Sequence, residues 1–453
     1  MAEFVGSLWW LIVSLGVLVT FHEFGHYWVA RRCGVQVLRF SVGFGPALWS
    51  RRGKDGTEYV VAAIPLGGYV KMLDEREGEV APAELGQAFN RQSVWKRIAI
   101  VAAGPVANLL LCVMLFWGMF VIGRPDYAPV IGHVEGIAAA AGLERGDRLL
   151  EVGDRATPTW SEAQLALIPA ALDHADTPLL VRTSNGSTET RELALSQLPA
   201  EFDERRAVDA IGLTPRHLLV PPLVGRVAPD TPAWGVLAEG DRISAIDGRQ
   251  VRAWGDIGPL VQRLGERGGK AMIEVERDGD RLALELQPTR MESEAGEPYW
   301  VIGITSARPE LPAMDAELHY GPVAAVPAAL RETAHQTSEL IAMIGRAFSG
   351  RVAVENTVAG PITIARAANA YADQGPAWYL SLLALLSLSL GILNLLPIPI
   401  LDGGHLLYYL IELVKGSPVS ERAMAAGQYV GLVLIIGLMG LAFYNDIVNN
   451  LVH

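Results

Sequence analysis

Among 453 residues there are only two cysteines, Cys33 and Cys112. One follows an apolar run and the other lies inside a second run, so they cannot staple any domain elsewhere in the chain. Every folded region must therefore rely on its own apolar core. The net charge is −12 and no basic stripe is interleaved with aromatic residues, which argues against nucleic acid as a partner. No Lys or Arg precedes Phe4, and the first apolar run ends in polar residues, not in a small-residue cleavage site. That run therefore reads as a retained segment rather than a removable signal peptide. Ionisable residues are missing altogether from three long stretches, about 98–123, 374–401 and 423–445, which hold no Asp, Glu, Lys, Arg or His.

With a fourth run at about 4–30, these stretches are long enough to cross a bilayer, which takes roughly 20 apolar residues. Hydrophobic residues make up 51% of the chain and are gathered into these blocks. The expected class is a polytopic α-helical membrane protein with four transmembrane helices. Basic residues cluster between the first two spans, from Arg31 and Arg32 through Arg51, Arg52 and Lys54 to Lys96 and Arg97. The residues outside the first and last spans carry none. The positive-inside rule then places both termini, and the long insert 124–372, on the outer side. The basic residues of the insert do not oppose this, because long domains translocate largely regardless of charge.

That insert contains a repeat. AAAAGLERGDRLLEVGDR (138–155) returns as TPAWGVLAEGDRISAIDGR (231–249), with Gly146-Asp147-Arg148 matching Gly240-Asp241-Arg242. Units of roughly this spacing suit two compact domains in tandem. Short apolar strands such as RLLEV and RISAI alternate with Asp-Gly turn signals at 247–248 and 278–279. The pattern resembles PDZ domains of bacterial envelope proteases, which bind extended peptide by adding it to a sheet edge. On that likeness, PPLVGRV (221–227) and PVIGHV (129–134) are the expected peptide-accepting strands. The expected organisation is a membrane half at 1–125, PDZ-like domains at 126–220 and 221–309, an amphipathic connecting region at 310–372, and a second membrane half at 373–453. In the connecting region Val326, Leu330, Ala334, Thr337, Ile341, Ile344 and Phe348 recur at helical steps. Such a helix can lie on the membrane surface or pack on the second PDZ-like unit.

Residues 35–75 fit neither a span nor an ordinary loop. Two glycine-punctuated apolar runs, VLRFSVGFGPALW and EYVVAAIPLGGYVKM, flank the charged turn RRGKDG (51–56), which reads as a β-hairpin. It is either a small cytoplasmic sheet or a membrane-associated hairpin, and the second is allowed only where it lines a cavity or is buried in protein.

The first span ends in FHEFGHYWVA (21–30), after eighteen residues, Phe4 to Phe21, without charge. An ionisable group in hydrocarbon costs about 2.5–3.5 kcal/mol on insertion scales, so His22, Glu23 and His26 are functional candidates. HEFGH fits H-E-x-x-H: imidazoles four residues apart share a helix face and can hold one zinc ion, with Glu23 placed to act as general base on a water. A catalytic zinc takes three protein ligands and keeps one position open. The third is sought in NLLPIPILDGGHLLYYLIEL (394–413), where Pro397 and Pro399 interrupt the third span. Asp402 can present a carboxylate there, or serve only as a helix cap. His405, one turn on, is the competing ligand.

HEFGH in the first span, GGYVKM (67–72), AGPVAN (103–108) in the second span, the paired PDZ-like repeats and NLLPIPILDGG together resemble the site-2 protease family, in this order and over essentially the whole chain. The resemblance implies one zinc ion per chain held by His22, His26 and Asp402, with Glu23 as general base. It also implies substrate handling by Asn394 and by the hairpin residues Gly67, Gly68 and Tyr69. The implied activity is zinc-dependent cleavage of single-span membrane proteins within the bilayer, such as an anti-sigma factor already trimmed outside, and of remnant signal peptides. The implied location is a bacterial inner membrane, with PDZ-like domains in the periplasm and the active site near the cytoplasmic side. The rival readings are a non-enzymatic scaffold that gathers envelope proteins through its PDZ-like units, and a metal transporter. A transporter would want ionisable groups through several spans, and the second and fourth have none.

Overall fold

The computed structural model describes residues 2–199, 202, 206–292, 298–308, 311–349 and 359–451. The chain divides into two compact units, one of residues 1–125 with 318–453 and one of residues 126–317.

The first unit is helical. Its elements are α1 (Ala2–Arg32), the strands β1 (Val37–Arg52) and β2 (Glu58–Met72), α2 (Val94–Ile122), α3 (Pro322–Phe348), α4 (Pro361–Gln374), α5 (Pro376–Leu395), α6 (Asp402–Lys415) and α7 (Glu421–Leu451). Among the described residues α1, α2, α5 and α7 are long and apolar enough to cross a membrane. The third apolar run continues to 401, but the helix stops at Leu395. Pro397 and Pro399 each push the residue before them out of the helical region, so the chain turns and restarts as α6 at Asp402.

The bulky apolar stripe of α3 is not the face that packs on α2. Val326, Leu330 and Ile341 are exposed, whereas Ala325, Ala328 and Ala329 are buried against Cys112, Phe116 and Phe120 of α2. Alanine lets two helix backbones approach closely, which favours the small face over the bulky one in span packing. Thr333 meets Cys112 at 3.7 Å, so α3 lies along the second span. The Phe348 side chain and residues 350–358 fall outside the described residues.

The strands β1 and β2 form an antiparallel hairpin whose turn holds Asp55 and Gly56 (φ +84°). It is more folded than a flat ribbon. Arg52 pairs with Glu58 near the turn and Val42 with Gly68 at the base, while Phe40 and Ser41 also partner Tyr59 and Val60. Gly43 and Gly45, with φ of +93° and +88°, and Pro46 supply the bend in β1 that lets the arms double back. Asp55 is tied to the end of α1 by Arg31 and by Tyr27, whose hydroxyl is also 2.6 Å from that of Tyr59.

The second unit holds two successive halves with one design. In the first, strands Arg155–Ala156, Arg148–Val152, Thr177–Arg182 and Thr188–Leu193 lie in that order beside helix Trp160–Leu172. In the second, Arg249–Gln250, Arg242–Ile246, Ala271–Arg277 and Asp280–Leu286 follow the same order beside helix Ile257–Arg267. Both Asp-Gly turns have positive φ at both residues, as two-residue hairpins require. Each half has its own apolar core, one built around Leu149, Leu167 and Leu179 and the other around Ile243, Val261 and Ile273. A depression of about 310 Å³ runs between helix Ile257–Arg267 and residues 300–305; of the 221–227 run only Arg226 lines it. The strand that fronts the helix is thus Ile304–Ser306, not PPLVGRV. Trp300 closes one end, with its backbone N and O each 2.9 Å from the Gln262 amide and its ring on Gly265.

The repeated Gly-Asp has a structural cause. Asp147 accepts from the amides of Glu144 (2.9 Å) and Ser184 (3.1 Å), and Asp241 accepts from the Ala238 amide (2.8 Å) and from Arg277 (2.7 and 2.8 Å). Both carboxylates are buried and close the turn that leads into a central strand. Burial pushes the Asp241 carboxyl upward, but the Arg277 guanidinium and the Ala238 amide outweigh it and hold it below the usual range. A carboxyl depressed in the folded state stabilises above its unfolded pKa, and that contribution is lost as pH falls through the folded value. Asp241→Asn should therefore reduce the resistance of residues 221–308 to limited proteolysis at neutral pH, by an amount corresponding to about 2–4 kcal/mol. It should also flatten the loss of resistance that the natural protein shows as pH falls below the ordinary aspartate value of about 3.9.

Candidate metal centre

Three side chains from distant parts of the sequence converge in the first unit. His22 and His26 sit one turn apart on α1, and Asp402 opens α6. Oδ2 of Asp402 lies 3.1 Å from Nε2 of His22 and 3.4 Å from Nε2 of His26, and the two nitrogens are 3.2 Å apart. Around one tetrahedral ion with bonds of about 2.0–2.1 Å, two ligand atoms stand roughly 3.3–3.4 Å apart. All edges of the triangle are close to that length.

Hydrogen bonding alone does not account for the triangle. Nδ1 of His26 is 2.9 Å from the carbonyl oxygen of Ile100 on α2. A carbonyl can only accept, so the single proton of a neutral His26 sits on Nδ1 and the Nε2 lone pair points at the other two atoms. Oδ2 of Asp402 is shielded from solvent and has no polar partner among the described residues besides the two imidazole nitrogens, and a bare Nε2 on His26 gives it no proton. Two imidazole nitrogens and a carboxylate oxygen suit zinc, and three protein ligands leave a position open.

Several close contacts hold this geometry. A Cβ on Gly104 of α2 would lie 2.3 Å from Nε2 of His26 and 2.9 Å from Cε1 of His22, so only glycine leaves room for both rings. After the proline break, a Cβ on Gly403 or Gly404 would meet the carbonyls of Leu396 or Ile398 at 2.1 and 2.4 Å. The other end of α6 is tied to α2: Arg97 forks onto Glu412 (2.7 and 3.2 Å) and lies 4.8 Å over the Tyr409 ring.

Glu23 adjoins the triangle without belonging to it. Its stem lies against Gly68 of β2, where a Cβ would fall 3.1 Å from Cγ of Glu23 and 2.7 Å from the Ser41 oxygen, and the Val70 amide faces its carboxylate. The base of the hairpin thus runs beside the carboxylate. Gly67 (φ +154°) packs on the Phe44 ring, which stacks on Tyr69 at 6.2 Å. Asn394 stands half-buried on the last turn of α5 and makes no hydrogen bond to the three converging atoms. His405 is not one of the three. It lines a separate cavity of about 430 Å³ with Asp74, Arg76, Tyr408 and Glu412.

Two contributors escaped the sequence reading. Gly104 and Asn108, whose side chain lies 3.2 Å from Nδ1 of His22, both belong to AGPVAN. The available signal was an amide in a span otherwise free of strongly polar groups. Gly104→Ala should force the imidazoles apart and bring metal content well below that of the natural protein, as read by elemental analysis of purified protein. Gly118→Ala in the same helix, where an added Cβ meets its nearest neighbour at 3.4 Å, should leave it unchanged.

Comparison with known proteins agrees with this geometry. Residues 10–438 match the family model described as peptidase family M50. A protein of Xylella fastidiosa strain Temecula1, assigned as a zinc metalloprotease, is 53% identical over 447 residues, 99% of this chain and 100% of its own length. The regulator of sigma-E protease RseP of Escherichia coli K12 is 42% identical over 454 residues, 98% of this chain and 99% of its own. The protease RseP of Yersinia pestis is 40% identical over 450 residues, 98% of this chain and 99% of its own. This chain belongs to peptidase family M50, the site-2 protease family.

Proposed function

We propose that this chain is a zinc-dependent endopeptidase that cuts single-span membrane proteins within the bilayer. The observation that carries the reading is the triangle of His22, His26 and Asp402, with Glu23 beside it, at the end of an apolar helix. His22, His26 and Asp402 are assigned as ligands of one zinc ion and Glu23 as the general base. Zinc held there supplies Lewis acidity that brings a water's ionisation near pH 7. Glu23 takes the proton of that water as it attacks the peptide carbonyl, then delivers it to the amine nitrogen as the C–N bond breaks.

A transmembrane substrate must open before it can react, because its carbonyls are already hydrogen-bonded within a helix. The β1–β2 hairpin is assigned as a membrane-associated platform, with Gly67, Gly68 and Tyr69 at the point where an unwound strand would pair beside Glu23. Asn394 is assigned to hold freed backbone or a developing oxyanion. Both halves of residues 126–317 are read as PDZ-like domains on the periplasmic side of a bacterial inner membrane, excluding substrates with bulky outer domains. The active site then opens toward the cytoplasmic side, as the basic loop between the first two spans favours. A pre-trimmed anti-sigma factor is proposed as one substrate, in keeping with relatives named regulator of sigma-E protease, and remnant signal peptides fit the same single-span description.

The test is incubation of the purified protein with a single-span model substrate. Cleavage should stop on chelation, return with zinc, and fall by a factor on the order of 10²–10⁴ in Glu23→Gln. Cleavage that survives the chelator or the substitution would sink the reading and favour a PDZ-based scaffold. Metal analysis should show loss of zinc in both His22→Ala and Asp402→Ala.

A further inference from the structure

The metal-facing nitrogen of a histidine is decided at the far side of its ring. A neutral imidazole has one N–H, and the nitrogen without it is the ligand. For His26 the partner is the Ile100 carbonyl, part of the main chain. For His22 it is a side chain: the Asn108 carboxamide of α2 faces it, with Nδ2 placed 3.2 Å from Nδ1. Asn108 is fully buried, and its Oδ1 has no hydrogen-bond partner among the described residues. A buried acceptor left unsatisfied is destabilising, so the amide has reason to bring that oxygen to a donor.

We infer that Asn108 is the positioning residue of His22, its Oδ1 accepting the Nδ1–H so that Nε2 is held bare and aimed at the metal. A half-turn of the carboxamide, which exchanges Oδ1 with the Nδ2 that faces the ring, gives the orphaned oxygen a donor and locks the ring in the form that ligates through Nε2. The backbone around Asn108 is fixed for this task. Its carbonyl accepts from Ser387 Oγ of α5 at 2.8 Å, and Gly391 of α5 packs closely on its Cβ. Asn108 thus holds the ring of a ligand on α1 from a helix that is itself docked on the helix leading to Asp402. Partners of this kind raise metal affinity 10- to 100-fold.

The inference rests on the metal-centre reading, and the experiment separates the two. Full-length protein is stripped of metal, loaded with Co²⁺, and followed by visible absorption and by chelator competition. Asn108→Leu keeps the volume but removes the acceptor; it should weaken Co²⁺ binding 10- to 100-fold and alter the d–d bands while the metal-free fold, followed by thermal unfolding, is retained. Asn108→Asp keeps an acceptor and should bind at least as tightly as the natural protein. It is also the deciding variant should Asn108→Leu not fold. Natural affinity and spectrum in Asn108→Leu, or a tenfold loss in a folded Asn108→Asp, would overturn the inference and leave the metal centre standing. Natural protein that takes up no Co²⁺ would overturn both.

Discussion

Three polar atoms held within 3.4 Å of one another among apolar helices set the terms for the rest of the first unit. Each would be costly there alone. Together, aimed at one point, they could hold a divalent cation, and the surrounding helices are shaped to bring them there. α1 supplies two ligands by helical periodicity. α5 must end early so that α6 can start at the same depth, which the prolines at 397 and 399 bring about. α2 must pass close enough to orient both rings, which Gly104 allows by having no side chain. The Arg97–Glu412 pair at the far end of α6 fixes the helix that carries the third ligand.

The same economy appears in the hairpin. Its turn is anchored to the end of α1 through Asp55, Tyr27 and Arg31, and its base passes Glu23 at Gly68. One helix therefore bears both imidazoles of the triangle and the Glu23 carboxylate, and holds both ends of the sheet. Residues 126–317 solve a separate problem, building two small cores without disulfides, and use a buried aspartate after a positive-φ glycine to start the central strand of each.

Much of this was legible in the sequence because it rests on local rules. Span length, the four-residue spacing of His22 and His26, the proline break and the Asp-Gly turns each follow from a short stretch read alone. Asp402 and His405 could not be separated that way, since the choice depends on which face of α6 meets α1. The partner of α3 was hidden for a related reason: periodicity shows that a helix has a bulky apolar face, but not that its alanine face can pack closely on α2. PPLVGRV was misplaced because Val224–Val227 pairs with Ile304–Ser306, and only that tertiary pairing shows which of the two lines the depression beside the helix. Asn108 was hidden because an amide in a span signals polarity without naming its partner, 86 residues away.

The contact between Gly68 and Glu23 makes the sheet a ruler. A strand advances about 3.3 Å per residue and alternates its side chains between two faces. A guest segment clipped to this edge would then be severed at a fixed count from its first paired residue. Selectivity would reside in where unwinding begins rather than in the identity of the side chains flanking the cut, and sliding by one position would turn every side chain to the opposite face.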